Sequence, residues 1–442
     1  MHKYLVLICS LLICVSAGAQ RNGNSPYSRF GIGDINDNSF MHLRQMGGIT
    51  SSFLDPYHIN IVNPASFAFL SATAFDIGLR AKNTTLVDAD GREASVWSGN
   101  LDYISLGFPL QNDLNQLLDR DIKPYRFGTG FTLRPVSTVA YNITSTDIDP
   151  ENGSILRNYN GSGGTSKFLW SFGAKYKDWA IGTNFGYLFG NITYERNVVF
   201  QDIPWAYNDV FTNRYFMDGM TYDVGILYNK TLNKKAIEAK SGTPSNRISI
   251  GVTYSGPTNF DTDSDVSVVG VQVGTNDVRT VLDTTTLGTG RIPASLGFGA
   301  TYYGAEKWII GFDIRQSYWD NYFNDATGEA KETLRNTTSM SLGGYLRPNR
   351  KSFTSYWKRI YYRYGVYTRT EPTVVNDTQV SSYGVTFGLG MPFIFQRKIS
   401  HANLGVELGK RGGNSLIEET FCRFTLGFTF NDDEWFLKRK YN

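Results

Sequence analysis

Residues 420–430 read TFCRFTLGFTF. Cys422, Phe424, Leu426, Phe428 and Phe430 fall on one face of an extended chain. Arg423, Thr425, Gly427 and Thr429, following Phe421, fall on the other. Strand side chains alternate between faces, so this strand has one oily face and one that is polar or small. A single such strand would also suit a soluble sandwich. Here the pattern recurs along most of the 442 residues, behind an export signal. The combination predicts an all-β fold, a transmembrane antiparallel barrel in a bacterial outer membrane.

The export signal is read from a short polar start at His2 and Lys3, an apolar run over residues 5–15, and the small-residue cleavage motif Ala17-Gly18-Ala19. Gln20 is then expected to begin the mature protein. Bulky Ile13 before Cys14 argues against a lipoprotein, and the apolar run is too short for a membrane-spanning helix. Cys9 and Cys14 leave with the signal, and the remaining Cys422 can form neither an internal disulfide nor a cysteine metal site.

Mean hydropathy is −0.28, as barrels also show when half their strand residues face a polar lumen. The richness in Tyr (27), Phe (29) and Gly (45) is more telling. A net charge of +3 argues against nucleic acid as a partner.

Alternation starts with Phe75, Ile77, Leu79 and Ala81 opposing Asp76, Gly78, Arg80 and Lys82, and continues to the strand quoted above, which is expected to close on the one near Phe75. It gives about 14 strands, an even number in the usual range. Tight turns are read at residues 177–178 and 304–306. Long polar external loops are read near 143–160, 196–218, 231–246, 256–290 and 317–336. The run Asp261-Thr262-Asp263-Ser264-Asp265 begins like a calcium loop. It lacks the required Gly at Val266 and the bidentate Glu at Gln272, and is read as a solvated loop.

Before the first strand the chain is irregular, with Pro26, Pro56 and Pro64 and room for one short helix. A segment this long needs a job or a place to pack. Its Arg44-Gln45-Met46-Gly47-Gly48 and Asn63-Pro64-Ala65-Ser66 resemble the N-terminal hatch signature of FadL-type outer-membrane proteins. Gly161-Ser162-Gly163-Gly164, Tyr187-Leu188-Phe189-Gly190, Ile292-Pro293-Ala294-Ser295 and residues 308–313 fit the same order. The run SPYSRFGIGD over residues 25–34 is similar to outer-membrane proteins of Bacteroidota. The resemblance implies a 14-stranded barrel plugged by a hatch, with residues 1–19 as signal peptide, 20–70 as hatch, 71–430 as barrel and 431–442 as a periplasmic tail. It implies passive uptake of hydrophobic or amphipathic small molecules across the outer membrane, in contact with its lipids and without a cofactor. The alternative is a structural, assembly or secretion-associated subunit with an outer-membrane or periplasmic protein partner, since FadL-shaped barrels in that group also serve secretion machines.

By that resemblance, Gly47, Gly48, Asn63, Pro64 and Ala65 are expected to shape the hatch. Pro135, inside a strand pattern, marks either a lateral opening or a strand end. Arg80, Arg126, Arg134 and Arg315 face the lumen as candidate contacts for a ligand carboxylate or as partners of the hatch. His42, His58 and His401 are the only histidines of the mature chain, and no G-x-S-x-G elbow or metal-spaced His pair occurs, so no enzyme is expected. The tail bears Trp435, Phe436 and Lys438-Arg439-Lys440, read as an interfacial anchor or a docking peptide.

Overall fold

The computed structural model describes residues 25–435, apart from 89–90, 113–114, 117–122, 204, 240–242, 273–274, 276, 306 and 413–416. The signal motif, Glu306 and the tail beyond Trp435 lie outside the described residues.

The barrel has 14 antiparallel strands, three of them broken into a lower and an upper half. They are β1 (Thr73–Asp88), β2 (Glu93–Pro109), β3 (Tyr125–Pro135 and Ser137–Asp149), β4 (Gly153–Tyr176), β5 (Trp179–Phe200), β6 (Tyr207–Thr231) and β7 (Arg247–Ser255 and Thr258–Gln272). There follow β8 (Val278–Ile292 and Ser295–Gly304), β9 (Trp308–Ser317), β10 (Thr337–Leu346), β11 (Tyr361–Val375), β12 (Thr378–Phe395), β13 (Lys398–Gly412) and β14 (Ile417–Asp432). Strand β14 closes on β1, with Phe430 opposite Phe75 and Leu426 opposite Leu79, as the sequence pattern requires. Closure leaves no sheet edge in the wall where it is complete, the condition for crossing lipid with strands.

The oily faces point outward. Phe131, Trp170, Phe185, Phe298, Phe312, Phe387 and Phe424 are all exposed, while their neighbours Thr132, Ser171, Asn184, Asp313, Thr386 and Thr425 are buried. This exterior belt is the membrane-facing surface of an outer-membrane barrel.

The expected long loops are corrected by the structure. Residues 143–160, 196–218 and 256–290 are mostly strand, forming the upper parts of β3 to β8, which stand above the belt as a six-stranded extension. The external turns of the extension are correspondingly short, as at residues 150–152 between β3 and β4, whereas residues 318–336 between β9 and β10 form the long external connection expected. Above the lipid the outer face no longer meets hydrocarbon, while the inner face buries Val139, Tyr141, Ile192, Tyr215 and Phe260 against Ile32, Trp319 and Tyr322, so the lipid-imposed alternation lapses although Thr, Val and Tyr still favour extended backbone. The Asp261–Asp265 run is likewise no loop, but lies inside the upper half of β7, paired on both sides. Residues 231–246, expected to be external, join β6 to β7 at the periplasmic end and carry a short helix, Lys234–Ala239.

The core of the molecule is the N-terminal segment inside the barrel. It holds a four-residue helix, Met41–Arg44, and a 3-10 turn, Pro64–Phe69, and nearly all its apolar side chains are buried.

Candidate functional site

The candidate site is the lumen, where the N-terminal segment meets the wall. The segment enters at the external end, where Tyr27 donates to the carbonyl of Ile417 and Ser25 Oγ donates to Glu419 at 2.5 Å. Its helix then lies against β12 to β14. Residues 49–52 run beside β7 to β9, and the Pro64–Phe69 turn lies against β3 to β6 before the chain joins β1.

Close approach is made possible by glycine. Gly128, Gly173, Gly182 and Gly225 stand opposite one another on β3, β4, β5 and β6, forming a row across four strands. Asn63 to Ala68 of the plug lie directly on this row; a Cβ at Gly173 would sit 2.7 Å from the Pro64 carbonyl oxygen. On the opposite wall Gly343 and Gly365 face Met46 and Gly47. Gly47 and Gly48 have φ of 73° and 88°, a backbone conformation that suits glycine, and Gly47 N donates to Thr386 Oγ1 at 3.0 Å. Asn63 caps the turn by accepting from Ala65 N, while its Nδ2 donates to Ser51 O at 2.6 Å and to Ile226 O on β6 at 3.3 Å. Pro64 holds the first position of the turn, which suits its fixed φ.

Each of the four arginines expected to face the lumen binds the plug. Arg80 pairs with Asp102 at 3.3 Å and donates to Asn36 Oδ1 at 2.7 Å. Arg126 donates to Leu70 O at 2.9 Å, Arg134 to Asn38 Oδ1 at 2.6 Å, and Arg315 to Thr50 Oγ1 at 3.3 Å. Beyond these, Arg44 of the plug helix forms a buried pair with Asp102 at 3.0 Å. Asp102 is the extra residue of a β-bulge in β2, which turns its carboxylate inward. Asp313 accepts from the backbone N–H groups of Thr50 and Ser51, and Arg363 donates to Gln45 Oε1 at 2.8 Å. Burial raises the Asp37 carboxyl, but Arg44 and Arg369 outweigh it and hold the group well below the usual carboxylate range.

The three histidines, far apart in sequence, form a buried column. His42 and His401 each lie 4.7 Å, ring to ring, from His58. His58 Nδ1 lies 3.0 Å from Asp55 Oδ1. Burial, then the His58 and Arg363 charges, push the His42 imidazole well below its ordinary range. Among the described residues no group of three His, Cys, Asp or Glu is arranged to hold a metal ion. Neither the histidine column nor the Arg44–Asp102 pair was legible from spacing, since each joins plug residues to a distant strand of the wall. The scarcity of histidine was the one available signal.

Two lumen cavities have mixed linings, the first with Ile32, Ile61, Leu169, Ile292 and Trp319 beside its charged groups. Its volume is about 230 Å³, and those groups are Asp37, Arg134, Lys167, Asp223, Asp313, Arg315, Arg369 and Glu371. A second, of about 110 Å³, is lined by Asp34, Arg80, Lys82, Arg369, Glu371, Arg411 and Arg423.

Pro135 stands where β3 breaks. Below it, Ile104 to Pro109 of β2 pair with Gly128 to Leu133 of β3. Above it, among the described residues, β3 pairs only with β4 on one side, and on the other with the plug residues Asp34 and Ile35. The wall therefore has a break between β2 and β3, its lower part covered by the plug.

The tail is fastened as far as it is described. Asn112 Nδ2 donates to the carbonyls of Asp433 and Trp435, and Trp435 packs edge-on against Phe108.

Comparison with known structures places the barrel beside the toluene transporter TodX of Pseudomonas putida. The TM-score is 0.58 at 16% identity, covering 90% of this chain and 99% of that one. A FadL homologue of Pseudomonas aeruginosa gives 0.57 at 12% identity, covering 90% and 99%. The toluene transporter TbuX of Ralstonia pickettii gives 0.55 at 13% identity, again covering 90% and 99%. At these identities the likeness establishes the fold. No curated protein matches the chain. The family model described as BamG matches residues 1–442.

Proposed function

We propose, for a chain that belongs to the BamG family, that it is an assembly-associated subunit of the outer membrane, a barrel whose plug is structural and whose exterior binds another protein. The family name points to assembly. The carrying observation is the lumen itself. The plug is bound to the wall on opposite sides by buried pairs and backbone contacts, and the lumen cavities of about 230 and 110 Å³ are small, with charged groups such as Arg134, Asp223, Arg369 and Glu371 in their linings. A hydrophobic solute would have to strip water from those charges, which is costly, to pass. The large apolar concavity lies outside the barrel instead. It holds about 960 Å³ along β11 to β14 and β1, lined by Leu79, Phe387, Leu389, Leu404, Phe424 and Leu426. Gly388 and Gly405 of the same wall pack inward on Gln45 of the plug.

Passive uptake of a hydrophobic small molecule is the second reading. It is favoured by the fold shared with hydrocarbon channels and by the wall break above Pro135, which would serve as a sideways exit. Gentle solubilisation followed by native mass spectrometry separates the two. A stoichiometric protein partner with no small molecule in the barrel supports the subunit reading; a lone barrel carrying a hydrophobic ligand supports uptake and refutes it.

A further inference from the structure

The break in the wall offers an unfinished strand edge, and the chain's own plug shows what that edge accepts. Asp34 and Ile35 pair with Thr138 and Ser137 of β3 as a two-residue antiparallel strand. The same edge receives Ser25, whose N–H donates to the Ala140 carbonyl at 2.9 Å, while Ala140 N–H donates to Ser28 Oγ at 3.1 Å. Both backbone groups of Ala140 thus point into the break. Backbone groups alternate in direction along a strand, so those of Thr144, Thr146 and Ile148 point the same way. Among the described residues no strand pairs with them on that side, and β4 holds only their other edge. Across the break, among the described residues, β2 above Ile104 is paired only with β1. Ile148, 87% exposed, and Trp97, 53% exposed, stand on the two strands that flank it.

A long edge is a template for further pairing, and natural sheets usually blunt one with proline or charge. Upper β3 carries no proline before Pro150 at its tip, its Asp147 is paired with Arg157, and its Asp149 is occupied by the turn amides of Glu151 and Asn152. We propose that the upper edge of β3, from Thr144 to Ile148, is a docking site for an extended strand of a second outer-membrane protein, added to the sheet beyond the plug's own two-residue strand. The occupant is specified by its backbone: about six residues of extended chain, presenting N–H and C=O groups every second residue. The inference rests on the subunit reading above and gives its partner a place and a conformation.

A test places a photo-crosslinking phenylalanine analogue in turn at positions 144, 146 and 148 of the full chain in intact outer membranes, with adducts mapped by mass spectrometry. Strand docking predicts adducts to one stretch of a second protein, shifting by two residues for each two-residue step of the probe. Thr146→Pro removes an N–H that faces the break and spares the ladder to β4. It should lower the yield of the purified complex about tenfold while the barrel keeps its heat-dependent gel shift, because the partner strand loses a hydrogen bond and meets the proline ring. Adducts to another copy of this chain, to its own residues 20–24 or to lipid alone overturn the proposal, as does an unchanged yield with Thr146→Pro. A complex whose contacts lie elsewhere overturns strand docking only; the absence of any protein partner overturns the subunit reading with it.

Discussion

Replacing Gly173 by alanine should loosen the plug without harming the barrel. The added Cβ would lie 2.7 Å from the Pro64 carbonyl oxygen, 2.9 Å from Ala68 N and 3.2 Å from Phe67 Cβ. Two of these are backbone atoms of one turn, which cannot rotate aside. Relief to an ordinary carbon–oxygen contact needs a shift of about 0.7 Å, and overpacking of this kind costs about 1–3 kcal/mol. The unseated state of the turn should therefore be populated about 5- to 150-fold more. Hydrogen exchange read by mass spectrometry on peptides spanning residues 60–70 measures this. The reporting amides are those of Ser66 and Leu70, bonded to Asn63 O and Phe67 O. Gly99→Ala is the control, because its Cβ would meet nothing closer than the Arg80 carbonyl at 3.8 Å. If Gly173→Ala exchanges no faster than Gly99→Ala, the plug does not rest on the glycine row and the reasoning fails.

Arg44→Ala removes one side of a pair whose side chains are only 3% and 4% exposed, and such losses cost about 3–5 kcal/mol. Proteolysis of the plug in detergent should accelerate markedly, because Asp102 and the Asp37 and Ser39 carbonyls then lose the Nη2 group they share. Acid should unseat the plug at the histidine column. His42 is held neutral by burial, with its pKa well below the ordinary 6.5, so the released segment binds the proton first. Seating is complete above about pH 7 and weakens as pH falls below 6.5, by up to about 1.4 kcal/mol per pH unit for this group. Exchange of the helix Met41–Arg44 should rise accordingly between pH 7 and 5, and His42→Gln should flatten the profile.

The fold was legible because lipid imposes a strict rule. Phe424, Leu426 and Phe428 must face hydrocarbon, so their alternation appears in the sequence, and with it the strand count. Thr280, Thr284 and Thr289 face no lipid, so the strand through them has the sequence pattern of a loop. The plug was legible through Gly47-Gly48 and Asn63-Pro64, whose turn chemistry is local. Arg80, Arg126, Arg134 and Arg315 were legible as inward charges by alternation. What they bind was not, because Asn36, Asn38, Thr50 and Leu70 reach them only through the tertiary path of the plug. Asp102 escaped notice because a bulge shifts its face. The glycines opposite the apolar residues read as merely small, and their reason lies in the backbone packed against them.

The central claim, that the plug is a fixed part of a partner-binding barrel, is tested most directly by locking it. Ser52 Oγ and Thr301 Oγ1 lie 2.7 Å apart, joining plug to wall, so Ser52→Cys with Thr301→Cys places two thiols within bonding reach. In cells depleted of the native protein, the oxidised double variant should sustain growth, outer-membrane barrel content and recovery of the protein partner at wild-type levels. Loss of those functions on oxidation, with recovery on reduction, would show that the plug must move and would contradict the account.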